Sequence, residues 1–364
     1  MFRFARLTVA AFFLCGIATA ASAQETPALP THEGDLTVHD FKFRSDETLN
    51  ELKLHYTTLG APSRDARGRV TNAVLILHGT GGDGHQFLRP QFAGVLFAPG
   101  GLLDPARYFI ILPDDIGHGK SSKPSDGMHA HFPQYDYDDM VQAEYLVVTK
   151  GLKVNHLRLV MGTSMGCMHS FVWGETYPDF MDALMPLACL PVQIAGRNRI
   201  WRKMTIDAIR DDPAWMGGEY RSEPLEGMRA ATDLLIIAGS APIQMQKTAP
   251  TRDAADAWLD DAMSKDLATL DANDFLYQVA SSRNYDPSGA LDKIKAPVMW
   301  INSGDDFINP PELGIAQEEV KKLAHGRFVL IPASDQTHGH GTHTWAAVWK
   351  DHLAELLQES ADKP

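Results

Sequence analysis

A five-residue turn, Gly162-Thr163-Ser164-Met165-Gly166, constrains this chain more tightly than any other stretch. It is entered from the mostly apolar run Leu157 to Met161 and left through Cys167-Met168-His169-Ser170-Phe171-Val172-Trp173. A strand that turns sharply at a serine and continues as a helix holds the hydroxyl at the tip of a bend. Glycine is needed on either side because a Cβ there would collide across the turn. The pattern therefore predicts a strand, an exposed Ser164 hydroxyl and a helix, the arrangement of an acyl-transferring nucleophile. In a chain with 29 glycines the pentapeptide alone is weak, so its surroundings must decide.

Those surroundings alternate. Asp35 to Leu59 switches between apolar and polar residues, as an antiparallel pair of strands would. Short apolar runs follow at Ala73–Leu77, Tyr108–Leu112, Leu157–Met161, Ala183–Ala188, Val298–Ile301 and Phe328–Ile331, separated by helical stretches. This predicts an α/β class chain with a mostly parallel sheet, helices on both faces, and strand C-termini along one edge. One connection, of about a hundred residues between Leu190 and Ala296, is too long for a simple crossover. Helical patterns at Ile200–Ile209, Ala254–Asp266 and Asn273–Ser281 make it an inserted helical cap. The expected division is a leader over 1–23, a core over 24–189, a cap over 190–295 and the rest of the core over 296–364. Residues 24–34, polar and containing proline, read as a flexible lead-in.

An acid and a base follow in order. Val298–Ile301 leads into Asn302-Ser303-Gly304-Asp305-Asp306-Phe307-Ile308-Asn309-Pro310. A carboxylate in the turn after a late strand can orient a histidine and stabilise the imidazolium formed in reaction. Asp306 is preferred over Asp305. The run Phe328–Ile331 and a last helix from Thr344 to Leu357 bracket His338-Gly339-His340-Gly341-Thr342-His343. His340, flanked by glycines that let the backbone carry its ring toward Ser164, is the expected base; His343 is the runner-up and His338 the third. The spacing also admits a metal cluster, but no aspartate separates the second and third histidines. After Leu77 comes His78-Gly79-Thr80-Gly81-Gly82. The backbone N–H groups of Thr80 and Met165 are the expected oxyanion-hole donors. No Gly-Lys-Ser/Thr ending supports a phosphate loop. His85 and His118 read as polar loop residues. The order Ser164, Asp306, His340 is that of an α/β-hydrolase fold.

The N-terminus reads as a removable address. Arg3 and Arg6 precede an apolar stretch, Leu7–Ala20, too short to span a bilayer, and Ala21-Ser22-Ala23 supplies a cleavage pattern. The expected mature start is Gln24, which removes Cys15 and places the protein in the periplasm or outside the cell. A formal charge of −13 argues against nucleic acid and anionic lipid as partners. Cys167 and Cys189 read as two buried thiols, although an exported chain would permit a disulfide. No Cys/His spacing matches a zinc site, and neither metal nor cofactor is expected.

The chain also resembles the homoserine O-acetyltransferase-like branch of the α/β-hydrolase superfamily. The resemblance runs through Tyr56-Thr57-Thr58-Leu59-Gly60, Met161 to Gly166, Asp211-Asp212-Pro213-Ala214-Trp215 with Gly217-Gly218-Glu219-Tyr220, Asp271-Ala272-Asn273-Asp274, and Asp306 to Pro311. It implies a helical cap and double displacement, with triad roles falling on Ser164, Asp306 and His340. Three departures stand out. Cys167 replaces a glycine usual after the elbow, Ile116 to Ser121 differs from the family's Gly-Ser-Thr-Gly-Pro loop, and Gly341 stands where the transferases carry an aspartate. Export would also remove the chain from acetyl-CoA. The expectation is an exported serine hydrolase that cleaves a small-molecule carboxylic ester. An O-acyltransferase of the homoserine type is the first alternative, and a non-catalytic binding protein on the same fold the second.

Overall fold

The computed structural model describes residues 29–361. The expected leader, residues 1–23, and the mature start at Gln24 lie outside that range. One sheet of eight strands has the order β1-β2-β4-β3-β5-β6-β7-β8. Strands β1 (Thr31–Lys42) and β2 (Thr48–Leu59) form the antiparallel pair expected, and β2 pairs antiparallel with β4 (Phe109–Pro113). The strand β1 starts at Thr31, so the stretch read as a flexible lead-in already contributes to the sheet. Ladder pairing with Leu59 at that end overrides the local composition.

The remaining strands are parallel: β3 (Ala73–Leu77), β5 (Leu159–Thr163), β6 (Leu184–Leu187), β7 (Val298–Ser303) and β8 (Gly326–Ile331). Alternation sorts their side chains between two cores. Ala73, Leu75 and Leu77 enter one face, while Val74 and Ile76 enter the other. The first face is covered by α2 (Tyr137–Leu146) and α3 (Met165–Thr176), the second by α1 (Ala93–Leu96) and α10 (Ala346–Glu359). Helix α3 is buried from Met165 to Gly174, as expected of a helix running through the centre of a molecule. Burying Phe171 alone stabilises the fold by about 1.5–3 kcal/mol.

Between β6 and β7 come the helices α4 (Gly196–Asp211), α5 (Leu225–Gly239), α6 (Pro242–Thr248), α7 (Arg252–Leu267) and α8 (Ala272–Ala280). A short α9 (Ile315–Glu319) follows β7. In α4 the buried residues Trp201, Thr205 and Ile209 recur every fourth position and face inward. Helix α4 packs on α5 and α8, and α5 on α7. Two of the motifs carrying the family resemblance, Asp211 to Tyr220 and Asp271 to Asp274, prove to be struts of this insertion. Trp215 Nε1 donates to Asn273 Oδ1 (2.9 Å), and Asn273 Nδ2 donates to the Gly218 carbonyl (2.8 Å). Asp212 accepts from the Ala214 and Gly227 N–H groups.

Cys167 and Cys189 are joined by a disulfide, which corrects the expectation of two free thiols. Cys167 lies in the first turn of α3 and Cys189 just beyond β6. Because β5 and β6 are neighbours, with Thr163 opposite Leu187, both cysteines emerge at one sheet edge with their Cα atoms 5.8 Å apart.

Candidate active site

Strand register assembles the site. Leu77 pairs with Gly162, so the turns after β3 and β5 leave the sheet side by side. Ser164 sits at the tip of the second turn with φ 56° and ψ −107°, a strained conformation for a residue with a side chain. Tight contacts hold it there. A Cβ at Gly162 would lie 2.0 Å from the Gly166 carbonyl oxygen, and one at Gly166 would lie 2.1 Å from that of Leu77. The Ser164 N–H donates to the Leu187 carbonyl (2.9 Å), which ties the bend to β6.

The expected acid and base both reach this serine. His340 Nε2 lies 2.8 Å from Ser164 Oγ, and His340 Nδ1 lies 2.9 Å from Asp306 Oδ2. A carboxylate only accepts, so Nδ1 carries the proton and Nε2 is free to accept from the serine hydroxyl. Asp306 is further held by the Ile308 and Asn309 N–H groups on Oδ1 and by Asn309 Nδ2 on Oδ2. Burial works to raise the Asp306 carboxyl. The charge and hydrogen bond of His340, with those from Asn309, outweigh it and hold the group below the ordinary aspartate range.

The rejected neighbours have other places. Asp305 accepts from Ser303 Oγ, from Thr337 Oγ1 (2.8 Å) and from the Gly339 N–H (3.0 Å), so it clasps the loop that carries His340. His338 stacks on Trp345 with ring centroids 3.8 Å apart. His343 is half-buried with its Nδ1 enclosed and unpartnered, and its pKa is pushed down to about 3 by burial first and His340 second. It meets the His340 ring edge-on at 5.2 Å and does not reach the serine as a base. Only one of the glycines flanking His340 is required. Gly339 has φ +59° and packs on the backbone of Ser240 and Ala241, whereas Gly341 has no such contact.

The glycine-rich turn abuts the serine: a Cβ on Gly79 would stand 3.4 Å from Ser164 Cβ. Thr80 follows directly, and Met165 is the first residue of α3, where a backbone N–H lacks an intrahelical acceptor. Two residues that sequence reasoning missed hold this corner. Gln86 accepts from the Gly79 N–H (3.3 Å) and donates to Thr163 Oγ1 (2.8 Å), linking the two turns. His78 bonds through Nδ1 to the Gly79 carbonyl and accepts the Asp115 N–H on Nε2. His118, read as a loop residue, is buried with its ring 4.9 Å from that of His78. His85, read as a polar loop residue, is half-buried in a single 3-10 turn over Gly84–Leu88, 3.3 Å from Glu33.

Behind α3 lies a buried polar group that no motif announced. His169 Nδ1 is 2.7 Å from Glu144 Oε1, Trp173 Nε1 donates to Glu144 Oε2, and Asp115 stands 3.6 Å from His169. Burial raises Glu144 to about 7 and Asp115 well above the usual carboxylate range. Beside the triad opens a cavity of about 830 Å³ whose walls include Met168, Leu190, Ile194, Ile237, Phe307 and Asp306. Ser164 and His340 do not line it.

Comparison with known proteins identifies the fold family. Residues 72–336 match the family model described as alpha/beta hydrolase fold. The chain is 29% identical over 277 residues to a probable acyltransferase of Methanothermobacter thermautotrophicus, covering 76% of this chain and 83% of that one. It is 29% identical over 331 residues to a homoserine O-acetyltransferase of Thermobifida fusca, covering 80% and 83% respectively. The solved structure of the acetyl esterase MekB superposes with a TM-score of 0.77 at 24% identity, over 91% of this chain and 97% of that one.

Proposed function

The chain belongs to the alpha/beta hydrolase fold family and is an enzyme of the hydrolase or acyltransferase kind, and we propose that it is an exported serine esterase. One observation carries the reading: the unbroken relay from Ser164 Oγ through His340 to Asp306. In the proposed reaction His340 Nε2 takes the Ser164 proton as Oγ attacks an ester carbonyl. Asp306 stabilises the imidazolium, while the N–H groups of Thr80 and Met165 receive the developing oxyanion. Collapse expels the alcohol, which takes the proton from His340, and leaves an acyl-Ser164. Water, deprotonated by the same histidine, then releases the carboxylic acid and frees the serine.

Hydrolysis is favoured over transfer by two features. Gly341 follows His340 where the resembling transferases carry an aspartate. The Cys167–Cys189 disulfide suits an oxidising compartment, in keeping with the leader read at residues 1–23, and acetyl-CoA is not supplied there. The apolar cavity beside Asp306 gives room for an uncharged part of a small acyl ester. The curated relatives named as acyltransferases support a second reading, transfer to an alcohol such as homoserine. The two are separated by supplying a short-chain aryl ester with and without homoserine. The esterase reading expects free acid as the main product in both; O-acyl-homoserine exceeding acid would reverse it.

A further inference from the structure

A second cavity, of about 460 Å³, lies between α4 and the core and has none of Ser164, Asp306 and His340 in its walls. Its size falls in the range of small-molecule sites. On α4, Arg199, Lys203 and Arg210 occupy positions four, then seven residues apart, which places them on one helical face. All three line the cavity, joined by Arg283 from the turn after α8 and by Arg44 from the turn after β1.

Two of these cations are neutralised locally. Arg44 bonds to Asp136 and Asp138, and its N–H to Asp139; Lys203 pairs with Asp207. The carboxylates in the cavity wall, Asp136 and Asp139, are thus engaged by Arg44 and by each other's backbone N–H. Among the described residues, Arg199, Arg210 and Arg283 have no carboxylate within 4.0 Å. Nη1 of Arg199 is buried and has no hydrogen-bond acceptor. Arg202 lies behind the wall, buried, bonded to the neutral Asn198 and Ser282 and set over the Trp201 ring. Burial first, then Arg283 and Arg202, press the Arg199 guanidinium below the usual arginine range against the opposing pull of Asp207, so cationic groups outnumber the carboxylates Asp136 and Asp139 in this wall. In a chain of net charge −13, that is an arrangement waiting for an anion.

We propose that this cavity is an anion site for a phosphate group, free or carried on a small molecule, held by Arg199, Arg210 and Arg283. Planar guanidinium groups bind phosphate oxygens in pairs, and a dianion answers several converging cations better than a single carboxylate.

Titration calorimetry on the purified protein at constant ionic strength tests this, with inorganic phosphate, glycerol 3-phosphate, acetate and chloride as separate titrants. Saturable binding of a phosphate titrant, weakened about tenfold or more in Arg199→Gln/Arg283→Gln, is the expected result. Tighter binding of glycerol 3-phosphate assigns the site to phosphoesters, and tighter binding of inorganic phosphate to the free ion. The exposed Arg210→Gln variant, checked for an unchanged melting temperature, repeats the test without touching buried groups. Absent saturation, acetate binding as tightly as phosphate, or full affinity in the folded variants would overturn the proposal.

Discussion

At the scale of single residues, neighbours in the chain divide one task. Asp306 bonds to the His340 ring, while Asp305 fixes the loop just before it through the Gly339 N–H and the Thr337 hydroxyl. Asp306→Ala should therefore lower kcat on an aryl ester by roughly 10³–10⁵-fold. Asp305→Ala should cost about 10–100-fold in kcat with little change in KM, because it loosens a loop and leaves the relay intact. Steady-state kinetics on both variants checks the ranking, and equal losses would contradict it. His343 offers a test by pH. An unfolded histidine binds its proton near pH 6.5, but this one resists until about 3. Between those values the unfolded chain holds more protons, so the stability contributed above 6.5 is lost as pH falls toward 3. His343→Leu should lose less stability than the parent between pH 7.5 and pH 5 in urea unfolding; parallel losses would refute the assignment. Sequence reasoning named Ser164, Asp306 and His340 because each stands in a turn whose type is set by local residues. It gave no role to Gln86 and His78 because hydrogen bonds between distant turns leave no periodic signal.

At the scale of elements, the strands were legible because alternation and short apolar runs follow from burial on one or two sheet faces. Helix α8 was legible from its apolar spacing, and its start is fixed by Asp271, whose side chain accepts the Asp274 N–H (3.0 Å). Helices α5 and α6 were not foreseen; α5 carries apolar residues such as Leu225 and Ile237 that remain exposed, which blurs its pattern. The disulfide was also missed, since pairing Cys167 with Cys189 needs the strand order and not only the sequence. Its closed loop spans 22 residues, so replacing both cysteines with alanine should lower stability by about 3 kcal/mol. Comparing the urea midpoint of that variant with the parent checks it, and an unchanged midpoint would contradict the linkage. The elbow is stricter still. Gly166→Ala would place its methyl 2.1 Å from a carbonyl oxygen and should cost several kcal/mol, read as a lower melting temperature.

At the scale of the whole molecule, the parallel sheet gathers one edge of turns and a helical insertion stands beside it. The nucleophile, base, acid and glycine-rich turn all arise from the ends of β5, β8, β7 and β3. The serine is where the chemistry begins. Ser164→Ala should reduce ester turnover by roughly 10⁶-fold while leaving the circular dichroism spectrum unchanged. The most direct measurement is mass spectrometry of enzyme quenched in acid during turnover of an activated acetyl ester. One acetyl group is expected on the peptide containing Ser164, absent from Ser164→Ala and accumulating in variants slowed at deacylation. Acetyl found on another residue, or full turnover by Ser164→Ala, would contradict it.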